Sequence, residues 1–374
     1  MNQSDIETSI DLGHGFLLHA QHAEGWWADF LLSPGRSDAW VTAYVGRVVA
    51  IADDPPARAA AGRAWQWLAR RSSAGWGYNG LTPEDADTTA WAIRFAEAVG
   101  AGASERASAG RSFLASQSRP DGGLSTYGDD AAIRAFIGAP ATLRFDGWCG
   151  SHPCVTAAAA AGLGGSSALC YLRTVQADDG HWPSYWWCEP EYATAMAASA
   201  LGRFGERDDH GRVARAATWA ARRLAPRGHA VSSVCPDGSA FATALALRTL
   251  QAGGDASFDA ESATARRAVD WLLCQQQSDG SWPSSAGLRV PPPDHTEPDR
   301  HVGWQLGGKI EGGISLDQER LFTTATVVET LRAAVSAASR DDSAWNRPQP
   351  DPSENSPRTA VFSARTVVHP GGSS

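Results

Sequence analysis

The sequence of 374 residues predicts an all-α protein built as a single (α/α)6 toroid, in which six helix pairs close into a ring. Three observations support this fold class. A short glycine–aromatic turn recurs along the chain, and a Thr-Ala pair inside an apolar helical stretch follows each turn. The alternation of apolar and polar residues that is typical of strands is almost absent.

The recurring turn consists of Gln, two or three residues, an acidic residue, Gly, any residue and an aromatic residue. Clear copies begin at Gln21, Gln176 and Gln276, and degenerate copies lie at 74–78, 117–124 and 223–231. Glycine suits the positive backbone angles that often follow a helix. We expect the Trp of each clear copy to fix its turn against a neighbouring helix.

The Thr-Ala pairs mark a second helix in each repeat, small and apolar enough to crowd the centre of a ring. Helices with more Arg and Glu alternate with them and form the predicted outer layer. The pairs begin at Thr42, Thr89, Thr156, Thr194, Thr243 and Thr324. From them we predict inner helices near 38–52, 85–99, 151–163, 189–204, 238–252 and 321–337.

Two inserts interrupt the repeats, and a tail follows them. Residues 283–320 form the longer insert, and 125–148 form a shorter one before the third inner helix. Long loops inside compact domains are often functional lids. We predict one toroid domain over 1–338 and a disordered tail rich in Pro, Ser and Gly over 339–374.

Composition limits the classes of function. The net charge is −9 and no basic stripe is visible, which argues against a nucleic-acid partner. No apolar run reaches the length of a transmembrane span. The first ten residues are polar and acidic, unlike a signal peptide, so we expect a cytoplasmic protein whose six cysteines are reduced.

The stretch 84–91, which contains Asp85, Asp87 and Thr88, is the strongest candidate for chemistry. Asp and Thr before an apolar helix are ordinary capping residues, which is the simpler interpretation. The alternative is an acid pair in an apolar cavity, where burial and a neighbouring carboxylate both raise one pKa. The helix N-terminus stabilises the anion and so strengthens the acid. Such a neutral yet strong acid could protonate a carbon–carbon double bond.

Alignment of the repeats places aromatic residues around Asp87. All inner helices of a toroid point the same way, so their N-termini meet at one mouth. The positions that match Asp87 in the other repeats are Trp40, Cys154, Tyr192, Phe241 and Phe322. Four of these five are aromatic, which suits a greasy, unsaturated substrate whose cations are stabilised by ring faces. Packing of these rings against one another as core is the competing interpretation.

Further candidates lie near the same mouth. His152 begins the next inner helix, where a structural hydrogen bond and a pairing with the aspartates are both open. Trp91 and Trp148 flank this region, and Trp304 lies in the long insert. Lys309, the only lysine, follows in that insert, and we expect it, with the nearby Arg300 and His301, to hold an anionic head group beside the ring of helix N-termini. A solvated surface lysine is the competing interpretation.

These motifs resemble those of the squalene–hopene cyclases and related class II terpene cyclases. The Gln-to-Trp turns resemble the QW repeats of that superfamily over about residues 21–334, and Asp85-Ala-Asp87-Thr88-Thr89-Ala90 resembles its catalytic Asp-x-Asp-Asp-Thr-Ala. Thr88 replaces the third Asp, a variant seen in some bacterial enzymes that cyclise prenyl diphosphates.

The resemblance implies a terpene cyclase that protonates a linear prenyl or prenyl diphosphate substrate. It implies Asp87 as the general acid, Asp85 as its hydrogen-bonded helper and His152 as the residue that polarises the acid. It implies no bound cofactor, with Mg²⁺ only as the companion of a diphosphate. Family members usually contain two toroids, so here the long insert, a partner chain or a homodimer must close the cavity, or the substrate must be of a different kind.

Two other functions remain open from the sequence. Prenyltransferase β-subunits share the toroid and bind Zn²⁺, and Cys149, His152 and Cys154 could suggest such a metal, although their spacing is loose. The other is a non-catalytic toroid that binds a prenyl lipid or a protein.

Overall fold

A computed structural model describes residues 3–52, 54–71, 74–254 and 262–345. Residues up to Val335 form one compact unit, and a second unit begins at Ser336. The first unit contains the repeats and is an α/α toroid. The all-α fold class expected from the repeats is therefore confirmed.

Six inner helices occur where the Thr-Ala pairs predict them, with N-termini within two residues of the expected positions. Five of them are almost entirely buried, because Ala, Val and Thr dominate their sequences. In chain order the inner helices are α2 (Ala39–Ala50), α4 (Ala86–Ala98), α7 (Pro153–Leu163), α9 (Glu191–Phe204), α11 (Ala240–Ala252) and α13 (Leu321–Trp345).

Six outer helices alternate with them and bury only one face each. The outer helices are α1 (Gln3–His19), α3 (Pro55–Ala69), α5 (Glu105–Ser116), α8 (Ser166–Thr174), α10 (Asp209–Leu224) and α12 (Ser262–Gln275). One further helix, α6 (Ala131–Ile137), lies in the short insert.

A single hydrogen bond explains the Thr-Ala pairs. In every repeat the Thr hydroxyl accepts the backbone N–H of the turn residue at the aromatic position, as in Trp27 to Thr42 at 2.9 Å. The equivalent bonds start from Trp76, Leu124, Trp182, Ala230 and Trp282. The hydroxyl thus ties each turn to its inner helix, even where the turn has lost its Gln and Trp.

The Trp and Gln side chains that recur in the turns attach those turns to the outer layer. The Trp182 indole N–H donates to Leu172 O at 2.8 Å, and Trp27, Trp76 and Trp282 make the same bond. The Gln176 side-chain amide donates to Gly180 O in its own turn and to Arg212 O in the next outer helix. These contacts confirm the expected role of the Trp residues.

The ring closes between the first and last repeats. Gln276 donates to Ser9 O of α1 at 2.9 Å, as Gln21 and Gln176 do to the outer helices next to them. The buried carboxylate of Asp29 accepts the backbone N–H groups of Glu319 and Leu321, each at 3.0 Å. The N-terminal segment therefore caps the start of the last inner helix, α13.

Short strands lie at the end of the ring where the inner helices begin. Two hairpins pair β1 (Asp29–Leu32) with β2 (Gly35–Ser37), and β3 (Trp76–Gly77) with β4 (Glu84–Asp85). In the long insert β7 (Gly313–Leu316) lies between β5 (Gly287–Val290), which is antiparallel to it, and β6 (Gln305–Leu306), which is parallel. The insert is thus a small ordered sheet.

The last helix runs to Trp345, beyond the predicted domain boundary at 338. The remainder of the predicted tail, 346–374, lies outside the described residues. None of the described helices combines the length and apolarity that a membrane span requires.

Candidate active site

A cavity of about 530 Å³ opens at the end of the toroid where the inner helices begin. Asp85, Asp87 and Thr88 of the predicted acid motif all line it. Seven aromatic side chains line it as well, which makes its surface apolar and rich in ring faces. They are Trp40, Tyr78, Tyr127, Phe136, Trp148, Trp186 and Trp187.

The two inserts supply the walls that one ring of helices lacks. Ile133, Phe136 and Ile137 of the short insert form one wall, and Leu288 and Val290 of β5 form another. The long insert, one of the alternatives for closing the cavity, therefore supplies part of its wall, and the short insert takes part as well.

Four aromatic residues predicted to contact substrate lie beneath the cavity instead. Tyr192, Phe241 and Phe322 pack under Trp187, with ring centroids 4.6, 5.0 and 5.3 Å away. Trp91 is also fully buried, and its indole N–H donates to the Tyr192 hydroxyl at 2.9 Å. The assignment of these four to the cavity lining is wrong, because the Trp187 side chain covers the helix ends. Trp40 and Trp148 do line the cavity, as expected.

Asp87 presents an acid without a close partner. Its Oδ1 is buried and makes no hydrogen bond of normal geometry among the described residues, and the indole N–H of Trp40 is in the same state. Burial raises the pKa of Asp87 well above its usual range, and the nearby Asp85 carboxyl raises it further. Arg94 and Trp40 oppose this rise because they favour the anion. The pKa of Asp87 is therefore held above its usual range, which favours the protonated carboxylic acid at the wall of the aromatic cavity.

Asp85 caps helix α4 rather than bonding to Asp87. Its Oδ1 accepts the Thr88 backbone N–H at 2.7 Å, and its Oδ2 accepts the Thr88 hydroxyl at 2.8 Å. Burial raises the pKa of Asp85 to about 7, while the two donors of Thr88 limit the increase. The expected hydrogen bond from Asp85 to Asp87 is absent from the described contacts, so Asp85 acts on Asp87 through its charge.

Arg94 extends the column of residues below the acid. Asp87, Trp91 and Arg94 are spaced four and three residues apart and so share one face of α4. The Arg94 guanidinium lies 3.9 Å from the centroid of the Trp91 ring and donates to Ala158 O at 2.9 Å. The buried Arg94 guanidinium favours the anionic form of Asp87 and so lowers its pKa.

His152 does not face the aspartates, contrary to the expectation that it polarises the acid. Its Nδ1 lies 2.8 Å from the Thr126 hydroxyl and its Nε2 lies 2.7 Å from Gly147 O. Burial lowers the pKa of His152 to about 4, so the ring is neutral. Both ring nitrogens are committed to partners from the short insert, which the repeat register could not place.

Of the candidate residues in the long insert, one lines the cavity and the others lie outside it. Lys309 lies at the mouth of the cavity, next to Glu311, and its carbonyl accepts the Ser33 N–H at 2.9 Å. Trp304 lies outside the cavity lining and packs against His301 with centroids 4.6 Å apart, so its assignment to substrate contact is wrong. Arg300 is exposed and pairs with Glu297.

Several residues that line the cavity were not predicted from the sequence. Trp186 and Trp187 follow the fourth turn closely, and this aromatic pair is the one visible signal for them. Thr126 and Tyr127 lie in the short insert, and nothing in their sequence context indicates that they face the cavity. Thr126 O accepts the Ala86 N–H at 3.0 Å, which holds this insert beside the acid motif.

The residues suggested for zinc do not form a metal site. Both His152 nitrogens are hydrogen-bonded, and the buried Cys154 Sγ accepts the Tyr185 N–H at 3.4 Å. Within the described ranges, no group of three or more His, Cys, Asp or Glu side chains is arranged to hold a metal ion.

Comparison with known proteins gives consistent results. The model of the squalene-hopene cyclase C-terminal domain matches residues 164–288. Solved structures of MstE, a type II terpene cyclase from Scytonema, are 41% identical over 90% of this chain and 99% of theirs, with a TM-score of 0.84. They include complexes with geranylgeranyl dihydroxybenzoate as substrate and with merosterolic acid A as product.

Two further structures are similar at different distances. A protein from Actinoplanes is 38% identical over 88% of this chain and 99% of its own, with a TM-score of 0.82. The ent-copalyl diphosphate synthase from Streptomyces platensis is 19% identical over 80% of this chain and 50% of its own, with a TM-score of 0.52, and shares the fold alone. No match was found among curated protein sequences.

Proposed function

This chain belongs to the type II terpene cyclases, and we propose that it starts cyclisation of a prenyl substrate by protonating a terminal double bond from Asp87. The observation that supports this assignment is the buried, unpartnered Oδ1 of Asp87 in an aromatic cavity. A neutral carboxylic acid holds a proton there without a competing acceptor. An alkene that lies against this oxygen can take the proton.

After protonation the aromatic lining stabilises the migrating cation. A ring face within about 6 Å of a cation contributes roughly 0.5–2 kcal/mol. Trp40, Trp148, Trp186 and Trp187 present such faces from different sides of the cavity. The same walls exclude water, which would otherwise capture the cation early.

For the head group we propose a prenylated aromatic acid. MstE was solved with geranylgeranyl dihydroxybenzoate, which carries a single carboxylate. Lys309 is the one cationic side chain among the described residues that line the cavity, and Glu311 lies beside it. One cation suits a monoanion better than a diphosphate, whose charge usually requires Mg²⁺ or several basic residues. We propose that no cofactor is needed, and that Mg²⁺ would matter only for a diphosphate substrate.

Purified wild type and Asp87→Asn, each incubated with geranylgeranyl dihydroxybenzoate, test the proposal. We expect cyclised product from wild type, unaffected by EDTA, and none from Asp87→Asn. General acid catalysis contributes roughly 10²–10⁴-fold, and alkene protonation has no easy substitute donor. Asn is nearly isosteric, so the melting temperature should be kept or raised.

Asp85→Asn should be milder than Asp87→Asn, because it removes a neighbouring charge and not the transferred proton. Parallel incubations with geranylgeranyl diphosphate and Mg²⁺ test the head group. Turnover by Asp87→Asn near the wild-type rate would show that Asp87 is not the acid. Preference for the diphosphate would refute the aromatic-acid assignment alone.

A further inference from the structure

Resting on the proposed function, we propose that the Thr126 hydroxyl, backed by the His152 imidazole, is the base that receives the proton released at the end of cyclisation. A cyclisation that begins with proton addition and yields an isomer must also end with proton loss. Asp87 accounts for the first proton transfer. The second requires an acceptor in the wall of the cavity.

The hydrogen bonds around His152 fix the position of every proton. Gly147 O can only accept, so His152 Nε2, at 2.7 Å, carries the hydrogen. In the neutral ring Nδ1 is then an acceptor. The hydroxyl of Thr126 lies 2.8 Å from Nδ1 and must donate to it.

The hydroxyl oxygen of Thr126 keeps one lone pair that is not used in a hydrogen bond to the protein. The Trp186 indole N–H donates to Thr126 Oγ1 at 2.7 Å, which uses one of its two acceptor positions. The hydroxyl proton points to His152, and the side chain lines the cavity. The remaining lone pair is the basic site that a substrate meets.

The arrangement has the three parts of an activated hydroxyl. An oxygen faces the substrate, an imidazole stands behind it, and an acceptor orients the imidazole. Stacking on Tyr185, with centroids 4.0 Å apart, and an edge contact with Trp186 at 5.8 Å hold the ring in place. Gly147 O fixes its tautomer.

The proposed step balances without a co-reactant. The C–H bond next to the last cationic carbon breaks, and its electrons form the new double bond. The proton passes to Thr126 Oγ1 while the hydroxyl proton of Thr126 moves to His152 Nδ1. His152 becomes an imidazolium that still donates to Gly147 O, and it returns the proton by the same route to water once the product leaves. If an oxygen of the substrate captures the cation, the proton of that oxygen follows the same path.

Other polar groups of the lining lack such support. The Tyr78 hydroxyl donates to Phe30 O at 2.9 Å, and both Asp85 oxygens are held by Thr88. The Cys154 thiol already accepts the Tyr185 N–H. None of these has a neutral base behind it. The remaining competitors are the Asp87 carboxylate itself, which would take the proton back, and the Tyr127 and Glu311 side chains, which also line the cavity.

Product analysis of Thr126→Val, Thr126→Ser and His152→Phe tests the proposal. With geranylgeranyl dihydroxybenzoate, Thr126→Val should still consume substrate, since Asp87 is intact. The share of the wild-type product should fall at least ~10-fold, replaced by other alkene isomers or water adducts, because a positioned base contributes about 10²–10⁴-fold. Thr126→Ser keeps the hydroxyl and should restore the product. His152→Phe should resemble Thr126→Val, and the double variant should add nothing.

Two outcomes would overturn the inference. One is a wild-type product ratio in Thr126→Val, which would assign the proton to another acceptor such as Asp87. The other is a changed ratio that Thr126→Ser does not restore, which would indicate a packing role. Asp87→Asn separates this test from the proposed function, since its loss of turnover does not depend on the base.

Discussion

Thr88 holds both oxygens of the Asp85 carboxylate, with its backbone N–H at 2.7 Å from Oδ1 and its hydroxyl at 2.8 Å from Oδ2. Asp85 therefore cannot turn toward Asp87 without breaking the N-cap of α4. Asp85 influences Asp87 electrostatically. The two hydrogen bonds from Thr88 favour the anionic form of Asp85 and so affect how much negative charge Asp85 carries. The Thr that departs from the family motif thus has a defined role in this chain.

Thr88→Val should reduce turnover by roughly tenfold while leaving Asp87 in place. The substitution removes the hydroxyl that stabilises the Asp85 anion and keeps the capping N–H, so the balance of charge beside the acid changes. An unpaired buried carboxylate oxygen should also lower the free energy of unfolding by about 1–3 kcal/mol. Initial rates and thermal unfolding measure the two effects.

Thr88→Ser is the matched control, because it keeps both donors. It should retain most of the activity and stability. Equal losses in Thr88→Ser and Thr88→Val would assign the effect to the methyl group and to packing.

The rate should depend on pH through the protonated acid. The pKa of Asp87 is raised well above its usual range and that of Asp85 to about 7, both chiefly by burial. Under the proposed mechanism kcat/KM depends on protonated Asp87, so its decline should come well above the pH at which an ordinary aspartate titrates. A profile that declines near pH 4, the usual aspartate value of about 3.9, would contradict a buried general acid.

The raised pKa values of Asp85 and Asp87 also predict how the stability of the fold depends on pH. A raised pKa means that the folded state binds more protons than the unfolded chain. The contribution of these two carboxyls to the free energy of unfolding is then largest at low pH and decreases as the pH rises, and for Asp85 the decrease is complete above about pH 7. Asp87→Asn removes one titrating group and should flatten this dependence, as chemical denaturation at several pH values would show.

The repeat register could be predicted because it rests on local physics. A Thr hydroxyl that accepts a turn N–H recurs in all six repeats, including the turn at Ala230 that keeps neither Gln nor Trp. The acid motif was predictable for the same reason, since Asp85 and Thr88 form a helix cap. Both depend on residues close together in the chain.

The remainder of the site depends on contacts that no local pattern encodes. Tyr192, Phe241 and Phe322 occupy the predicted positions at the helix ends, yet Trp187 covers them from a loop. His152 begins its helix as expected, but Thr126 of the short insert determines where its ring points. Inserts have no repeat from which to derive a register.

Thr243→Val tests the hydrogen bond that defines the repeats, at a position outside the cavity lining. The Thr243 hydroxyl accepts the N–H of the fully buried Ala230 at 3.0 Å. Valine has nearly the same shape and leaves this donor unpaired, so unfolding should become easier by about 1–3 kcal/mol. The melting temperature should drop by a few degrees with the specific activity unchanged.

Thr249→Val in the same helix is the control. Thr249 is equally buried, but its hydroxyl only donates to Leu245 O within α11, so its loss leaves no unpaired donor. Its melting temperature should remain close to that of wild type. Similar destabilisation by both variants would mean that the hydrogen bond from Ala230 N–H to Thr243 contributes no more to stability than an ordinary buried hydroxyl.

Lys309→Met should weaken binding of the acidic head group without blocking cyclisation. Methionine keeps the length of the side chain and removes its charge at the mouth of the cavity. Because the lysine is exposed, an ion pair there contributes only about 1 kcal/mol, or roughly a fivefold increase in KM. The kcat should remain within about twofold, because Asp87 and the aromatic walls are untouched. Steady-state kinetics with geranylgeranyl dihydroxybenzoate measure both constants.

The methyl ester of that substrate and Arg300→Met provide the controls for Lys309. The ester carries no negative charge, so wild type and Lys309→Met should bind it equally. Arg300 lies in the same insert but pairs with Glu297, and its side chain is 81% exposed. Its loss should leave KM for the acid unchanged, whereas a general effect of charge would raise KM in both variants. If Lys309→Met discriminates acid from ester as wild type does, the carboxylate is held elsewhere.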